Sequence, residues 1–205
     1  FHNNGRRIQA IRFKDDNNRT DYFTPDGDSV RKAFIRAPVD FTRISSNFNP
    51  RRRHPILNTI RAHRGVDYAA PRGTPIKASG DGKVISAGTQ GGYGKTVIIE
   101  HANKYTTLYA HLSGYSKRSS KGNRLKQGQV IGYVGKTGLA TGPHLHYEFR
   151  VHGQHRDPLR VKLPKSLSLP KSEIDKFRAA AEPLLAQLES IPATLVASAD
   201  PSQAR

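Results

Sequence analysis

The chain has 205 residues, 35% of them hydrophobic, and its 34 lysines and arginines against 16 aspartates and glutamates give a formal net charge of +18. This length allows one sizeable domain plus extensions, and no apolar run of about 18 residues predicts a membrane span. The lack of cysteine excludes thiolate metal sites, cysteine nucleophiles and disulfides. Such a positive charge favours polyanionic partners, but no motif of a common nucleic-acid-binding module accompanies it.

The N-terminal segment, residues 1–40, is predicted to be a small accessory element. Alternation around Ile11 and Phe13 predicts a strand, and Thr20–Thr24 predicts a returning strand after the turn residues Asp15–Asn18. A piece this short folds poorly alone, so it should pack on the part of the chain that comes after it. No signal-peptide pattern opens the sequence, and we expect that such a peptide was removed or that the chain is truncated.

Residues 41–163 are predicted to form the main domain. Short apolar runs recur there between glycine-rich turns, a pattern typical of an antiparallel β-sandwich or barrel-sandwich. The strand candidates are Thr74–Ala78, Lys83–Ala87, Lys95–Glu100, Tyr105–His111, Gln129–Val134 and His144–Val151. The expected fold class is therefore mainly β, with additions at both ends.

Residues 164–205 are predicted to form a C-terminal amphipathic helix and a tail. Apolar residues follow helical spacing at Ile174, Phe177, Ala181, Leu184, Leu185 and Leu188. This stripe is expected to pack against the β-domain. Pro183 lacks an N–H and should kink or split the helix, and residues 191–205 should be a poorly fixed tail.

One stretch, TGPHLHYEFR at residues 141–150, predicts a strand that carries chemistry. Period-two alternation places His144, His146 and Glu148 on one face, and the apolar residues between them on the other. The two imidazoles then lie about 7 Å apart along the strand. This strand therefore presents two nitrogen ligands or proton carriers to a groove while its other face enters a core.

Three more residues fit the same site: His63 and Asp67, four apart, and His111, at the end of a predicted strand. Each pattern alone is weak. Together they suit a catalytic zinc, which uses three protein ligands, leaves a position open for water and lowers the pKa of that water to about 7. The remaining imidazoles would transfer protons. The other histidines are interpreted as ordinary polar side chains: His2, His54, His101, His152 and His155.

At these positions the chain resembles the lysostaphin/LytM-type zinc metallopeptidases. The resemblance covers about residues 41–157 and rests on His63-x-x-x-Asp67, on His111 in YAHL and on His144-x-His146 in GPHLHYEF. It includes the segments HRGVDYAAPRGTPI, GDGKV, GGYGKTVIIEH and VGKTGLATGPHLH. The flanks RKAFIRAPVDFTRISSNF and DPLRVKLP are similar to those of Gram-negative murein DD-endopeptidases of the MepM type.

The resemblance implies a role for each position. His63, Asp67 and His146 would bind one Zn²⁺ per chain, and His111 and His144 would be the catalytic pair that does not bind metal. Which of those two accepts the proton from water stays open. The implied substrate is the peptidoglycan crosslink between D-alanine and meso-diaminopimelate in the periplasm, and the positive charge suits its carboxylates. Candidate substrate contacts are Arg52, Arg53, Arg61 and Arg64.

Four alternatives compete with this interpretation. Degenerate relatives of the family bind the wall and activate amidases without catalysis, and another wall peptide bond, such as a glycine bridge, could be the target. Charge alone would favour nucleic acid, which we do not expect as a partner. GGYGKT resembles the end of a nucleotide-binding loop, but Thr89 stands where that loop needs its first glycine, and Val97–Glu100 predicts a strand instead of a helix. The sequence does not indicate the oligomeric state.

Overall fold

A computed structural model of the chain describes residues 2–3, 6–7, 9–16, 18, 20–52, 62–102, 104–164 and 168–190. The chain divides into two compact units, one combining residues 1–33 with 165–205 and the other spanning residues 34–164. The N-terminal and C-terminal segments therefore belong to one unit, and the predicted site residues all lie in the other. The three-part division at residues 40 and 163 stays a prediction.

The first unit contains four short strands and one helix: β1 (His2–Asn3), β2 (Arg6–Arg7), β3 (Ile11–Lys14), β4 (Thr20–Phe23) and α1 (Lys171–Ser190). The strands β1 and β2 form one antiparallel pair, and β3 and β4 form another. The predicted strand and its returning partner are thus both present. In the described part of the chain, no helix combines the length and apolarity needed to cross a membrane.

An aromatic cluster holds the first unit together. Phe177 of α1 is fully buried, and its ring meets those of Phe13 and Phe23 edge-on, with centroids 5.3 and 5.8 Å apart. Edge-to-face contacts of this kind stabilise beyond the area that they bury. Ile11 and Leu169 complete the buried cluster. The β3–β4 hairpin therefore gains from α1 the apolar cover that it lacks alone.

The predicted helix is confirmed, but it differs from the expectation in three details. Its buried stripe packs on the β3–β4 hairpin, whereas we expected the main β-domain as its partner. Leu184 and Leu188 lie 49% and 43% exposed, because the stripe extends only as far as the hairpin covers it. The helix also continues through Pro183 without splitting, at the cost of one backbone hydrogen bond.

The second unit contains ten strands: β5 (Arg43–Ser46), β6 (Val66–Ala69), β7 (Pro75–Lys77), β8 (Gly82–Gln90), β9 (Gly94–Glu100), β10 (Tyr105–Tyr115), β11 (Arg124–Leu125), β12 (Val130–Val134), β13 (His144–Val151) and β14 (Gln154–Arg156). Two short 3₁₀ turns, Gly91–Tyr93 and Lys117–Ser119, interrupt them. The prediction of a mainly β fold is confirmed. Four strands, β5, β6, β11 and β14, were not predicted.

All ten strands join one antiparallel network in the order β11-β8-β9-β10-β13-β6-β5. In addition, β12 pairs with β10 and β7, and β14 pairs with β13. The long strand β10 pairs with β13 up to Ala110 and with β12 from Leu112 onward. The centre of the network is therefore the β10–β13 pair, with β6 beside it.

The apolar face of β13 forms part of the core, as its alternation predicts. Leu145, Tyr147 and Phe149 are each at most 1% exposed. The Tyr147 ring packs between those of Tyr68 and Tyr109, with centroids 6.4 and 5.4 Å away. Because the side-chain period is two, this packing determines which residues of β13 point to the opposite face. Some positions discussed from the sequence lie outside the described residues: Arg53, His54, Arg61, residues 191–205 and the side chain of His2.

His101 is a second core feature, and it corrects the expectation of an ordinary surface histidine. Its side chain is buried, with Nδ1 2.7 Å from the Asp81 carbonyl oxygen and Nε2 2.8 Å from the Thr107 hydroxyl. The carbonyl oxygen only accepts, so Nδ1 carries the proton of the neutral ring. Burial lowers the pKa of His101 below its ordinary value.

We predict that His101→Gln flattens the pH dependence of stability on the acid side. In the unfolded chain, His101 takes up a proton near pH 6.5, whereas the folded protein holds it neutral to lower pH. Its contribution is thus fully present above about pH 6.5 and is lost as the pH falls toward the folded pKa. Thermal unfolding between pH 7.5 and 5.5 should show a smaller fall in Tm for the variant.

The matched control is His152→Asn, at an exposed histidine whose φ of 49° asparagine tolerates. This control should keep the wild-type slope of Tm against pH. Parallel curves for His101→Gln and the wild type would contradict the role of the buried ring.

Candidate metal centre

Sheet register places two of the predicted ligands side by side. On β13, His146 lies directly opposite Asp67 of β6 on one side and Ala110 of β10 on the other. Residues directly opposite on antiparallel strands project to the same face, with Cβ atoms about 5 Å apart. The aspartate and the second histidine of His-x-His therefore meet through backbone pairing, 79 positions apart in sequence.

His63 enters from the segment that leads into β6. Its backbone exchanges two hydrogen bonds with Asn49, of 2.8 and 2.9 Å. The ring Nδ1 lies 2.8 Å from the Asn47 carbonyl oxygen and 3.2 Å from the Ser46 hydroxyl. A carbonyl oxygen only accepts, so Nδ1 carries the proton and donates it. Nε2, on the other side of the ring, faces Asp67 and is the nitrogen left to bind a metal.

Three donor atoms converge at this point. The Nε2 atom of His63 lies 3.0 Å from the Oδ1 atom of Asp67 and 3.2 Å from the Nδ1 atom of His146, and the last two atoms are 2.7 Å apart. Ligand atoms of a tetrahedral zinc site, with bonds of about 2.0–2.2 Å, lie roughly 3.3 Å apart. The triangle therefore has nearly the size that one zinc ion requires. Among the described residues it is the one group of three or more such side chains that could hold a metal ion.

The charges of the cluster suit a cation. Burial by itself would raise the pKa of Asp67, but hydrogen bonds from His146 and His63 outweigh it and hold the pKa well below its usual range. Burial would likewise lower the pKa of His146, but hydrogen bonds to Asp67 and Glu148 raise it to about 9. The carboxylate is thus ionised at every ordinary pH, and a proton occupies the place where a cation would balance it.

His111 and His144 lie beside this triangle, with their ring centroids 4.7 Å apart. The Nδ1 atom of each ring bonds a backbone carbonyl oxygen at 2.8 Å, that of Thr137 for His111 and that of Gly142 for His144. Nε2 is therefore the nitrogen of each ring that can accept a proton, and that of His144 lies 3.8 Å from Asp67 Oδ1. Burial lowers the pKa of His111, so this ring is neutral at pH 7. All five predicted site residues are thus brought together.

The backbone of His111 is in the left-handed region, with a φ of 62°. The register of β10 against β9 shifts between Tyr109 and Leu112, so His111 lies in an interrupted stretch of the ladder. A shift of this kind redirects the side chain. For a non-glycine residue such a conformation costs roughly 1 kcal/mol. The strand therefore carries local strain at the position where the sequence places a catalytic histidine.

Sequence reasoning missed the groups around Glu148. This carboxylate is fully buried and bonds His146, Tyr93, Arg150 and His155. Burial would raise the pKa of Glu148, but hydrogen bonds from His146, Tyr93 and Arg150 lower it to about 2. His155 is thus not an ordinary surface histidine, contrary to our expectation.

A signal for Glu148 was present, because it shares the period-two face of His144 and His146. Tyr93 had no such signal, since it lies in the glycine-rich GGYGKT segment. The strand Gly94–Glu100 begins within that segment and includes the predicted Val97–Glu100, where a nucleotide-binding loop needs a helix. Of the arginines considered as substrate contacts, Arg52 and Arg64 are both exposed.

Comparison with known proteins shows similarity to peptidases. A family profile described as "Peptidase family M23" matches residues 61–158. The peptidoglycan DD-endopeptidase ShyC of Vibrio cholerae is 47% identical over 189 residues, which cover 92% of this chain and 42% of that protein. The chain therefore spans less than half the length of this relative.

Two solved structures are similar in fold and sequence. A zinc-containing peptidase from Vibrio cholerae has a TM-score of 0.63 and 38% identity, with 76% of this chain and 47% of that chain covered. The catalytic domain of the antimicrobial peptidase lysostaphin from Staphylococcus simulans has a TM-score of 0.50 and 32% identity, with 57% of this chain and 89% of that chain covered. The similarity to lysostaphin thus extends over nearly all of that domain.

We predict that Gly65→Ala disrupts the donor triangle. A Cβ atom at Gly65 would lie 2.6 Å from the Tyr147 carbonyl oxygen and 2.7 Å from Cε1 of His146. The backbone cannot yield easily there, so the His146 ring must move. Because disturbing the groups that orient a metal ligand typically costs 10–100-fold in metal affinity, Zn²⁺ should bind at least tenfold more weakly. Competition with a chromophoric chelator measures this affinity.

The matched control is Gly88→Ala on β8, where a Cβ atom would meet nothing within 4 Å. Its affinity for Zn²⁺ should equal that of the wild type. If Gly65→Ala also retains wild-type affinity, the packing of Gly65 against His146 does not maintain the donor triangle.

Proposed function

Because this chain belongs to peptidase family M23, we propose that it is a zinc-dependent endopeptidase of the periplasm. Its substrate would be the peptidoglycan peptide crosslink between D-alanine and meso-diaminopimelate. The observation that carries the proposal is the convergence of His63 Nε2, Asp67 Oδ1 and His146 Nδ1 in one triangle. Two of the similar proteins are named as a peptidoglycan DD-endopeptidase and a zinc-containing peptidase, which supports the choice of substrate and metal.

The donor set fits one Zn²⁺ ion per chain. Two imidazole nitrogens and one carboxylate oxygen are common ligands of catalytic zinc, and three protein ligands leave the fourth position for water or substrate. Each donor is oriented in advance: His63 by the Asn47 carbonyl, His146 by Glu148, and Asp67 by its place opposite His146. When bound, the ion supplies Lewis-acid polarisation of the peptide carbonyl and lowers the pKa of water.

His111 and His144 are the proposed proton carriers. Both rings donate Nδ1–H to a backbone carbonyl, so in its neutral form either one can accept a proton from the attacking water at Nε2. The proton can then pass to the amine that leaves when the peptide bond breaks. The protonated ring also provides a hydrogen-bond donor for the negative charge that develops on the carbonyl oxygen. Two such rings with centroids 4.7 Å apart can divide these tasks.

Charge supports the proposed substrate class in addition to similarity. Wall peptides carry free carboxylates, and the chain has a formal net charge of +18. A field of this sign attracts such polymers and speeds encounter at low salt. Arg52 and Arg64, exposed residues on either side of His63 in sequence, are the described candidates for direct contact.

We predict that metal removal abolishes release of monomeric muropeptides from diaminopimelate-type sacculi, and that Zn²⁺ restores it. Replacing His111 or His144 with alanine should lower kcat by about 10²–10⁴-fold, because general acid–base catalysis contributes that much. Mass spectrometry of the digest identifies the bond, since cleavage at the crosslink leaves a free amine on diaminopimelate.

The zinc content of each alanine variant distinguishes the proposed metal ligands from the proposed proton carriers. The His111→Ala and His144→Ala variants should retain one ion per chain, whereas His63→Ala should lose it. Full activity of the metal-free protein would contradict the proposal. A zinc-free wild type that only stimulates an added amidase would indicate a silent regulator, and cleavage of glycine-bridged wall alone would change the assigned bond.

A further inference from the structure

Glu148 lies beneath the donor triangle with no exposure to solvent. Its Oε1 atom accepts from the Tyr93 hydroxyl at 2.6 Å and lies 3.2 Å from Nε2 of His146. Its Oε2 atom accepts from Nε of Arg150 at 2.9 Å and lies 3.0 Å from Nε2 of His155. Both oxygens are thus held from two sides, so the carboxylate has little freedom to turn.

The contact with His146 decides which ring nitrogen faces the triangle. An ionised carboxylate only accepts, so Nε2 of His146 must carry the proton that it shares with Glu148. Nδ1 is then the nitrogen left to bind a metal once it gives up the proton that it shares with Asp67 Oδ1, 2.7 Å away. His63 obtains the opposite arrangement from the Asn47 carbonyl, which holds the proton on Nδ1.

We propose that Glu148 is a positioning residue of the metal centre, which fixes the proton of His146 on Nε2 and directs Nδ1 to the metal. Tyr93, Arg150 and His155 hold Glu148 in the orientation that this requires. The inference rests on the proposed metal site. A negatively charged acceptor also makes the imidazole a more basic ligand than a carbonyl acceptor does, so His146 binds metal more strongly than His63.

A purely structural role for Glu148 predicts a different outcome. The ion pair with Arg150 and its fully buried position would then stabilise the fold, and loss of the charge would lower the Tm alone. A positioning role predicts weaker metal binding by protein that is still folded. Metal affinity and thermal stability therefore distinguish the two roles.

The test is Glu148→Gln, which keeps the shape and removes the charge. We expect 10–100-fold weaker Zn²⁺ binding in competition with a chromophoric chelator, measured on folded protein. With Co²⁺ in place of Zn²⁺, the visible absorption bands should also shift, because the ligand field of His146 changes. The matched control is Glu173→Gln, a buried glutamate of the first unit, which should leave both readouts unchanged.

A second variant, Tyr93→Phe, keeps the test decisive if Glu148→Gln does not fold. It removes one hydrogen bond to Oε1 of Glu148 and leaves all charges in place, so a smaller loss of affinity, about threefold to tenfold, is expected. If the wild type binds no Zn²⁺, the proposed function is wrong. If the wild type binds Zn²⁺ and the folded variants bind it equally well with unchanged Co²⁺ spectra, the positioning role is wrong.

Discussion

The pairing of β13 with β6 on one side and β10 on the other is the constraint on which the site depends. Backbone hydrogen bonds place His146 opposite Asp67, and the apolar face of Leu145 and Tyr147 holds that register. A slip of one residue would turn His146 into the core and Leu145 toward the site. Hydrophobic packing on one face of β13 thus determines the geometry of the polar groups on the other.

Hydrogen bonds to acceptor-only groups then orient the four histidines. His63, His111 and His144 each donate Nδ1–H to a backbone carbonyl, which leaves Nε2 as the nitrogen that can bind a metal or accept a proton. His146 is reversed, because the carboxylate of Glu148 occupies the side of its Nε2. Two ring orientations thus leave one nitrogen of each histidine for binding a metal or accepting a proton. The site needs no rearrangement of its side chains to receive a cation, which keeps the entropic cost of binding low.

Most of the fold could be predicted where the pattern is local. The strand His144–Val151 has the predicted bounds, and β9, β10 and β12 begin within one residue of their predicted starts. The strand β6 was missed because VDYA lies among turn residues and becomes a strand only through pairing with β13 and β5. The spacing of apolar residues predicted the helix α1, but it did not predict that the β3–β4 hairpin covers it. Spacing defines an apolar stripe and does not identify the element that packs on it.

Five positions of the site were recognisable without coordinates, since residue types, their order and the period-two alternation are properties of the chain itself. Their convergence, the ring nitrogen that each histidine turns inward and the buried support of Glu148 were not. These depend on contacts between segments up to 83 positions apart, such as His63 with His146. The sequence does not give the spatial distance between segments that lie far apart along the chain. Which atoms meet is therefore determined only by the pairing and packing of the strands.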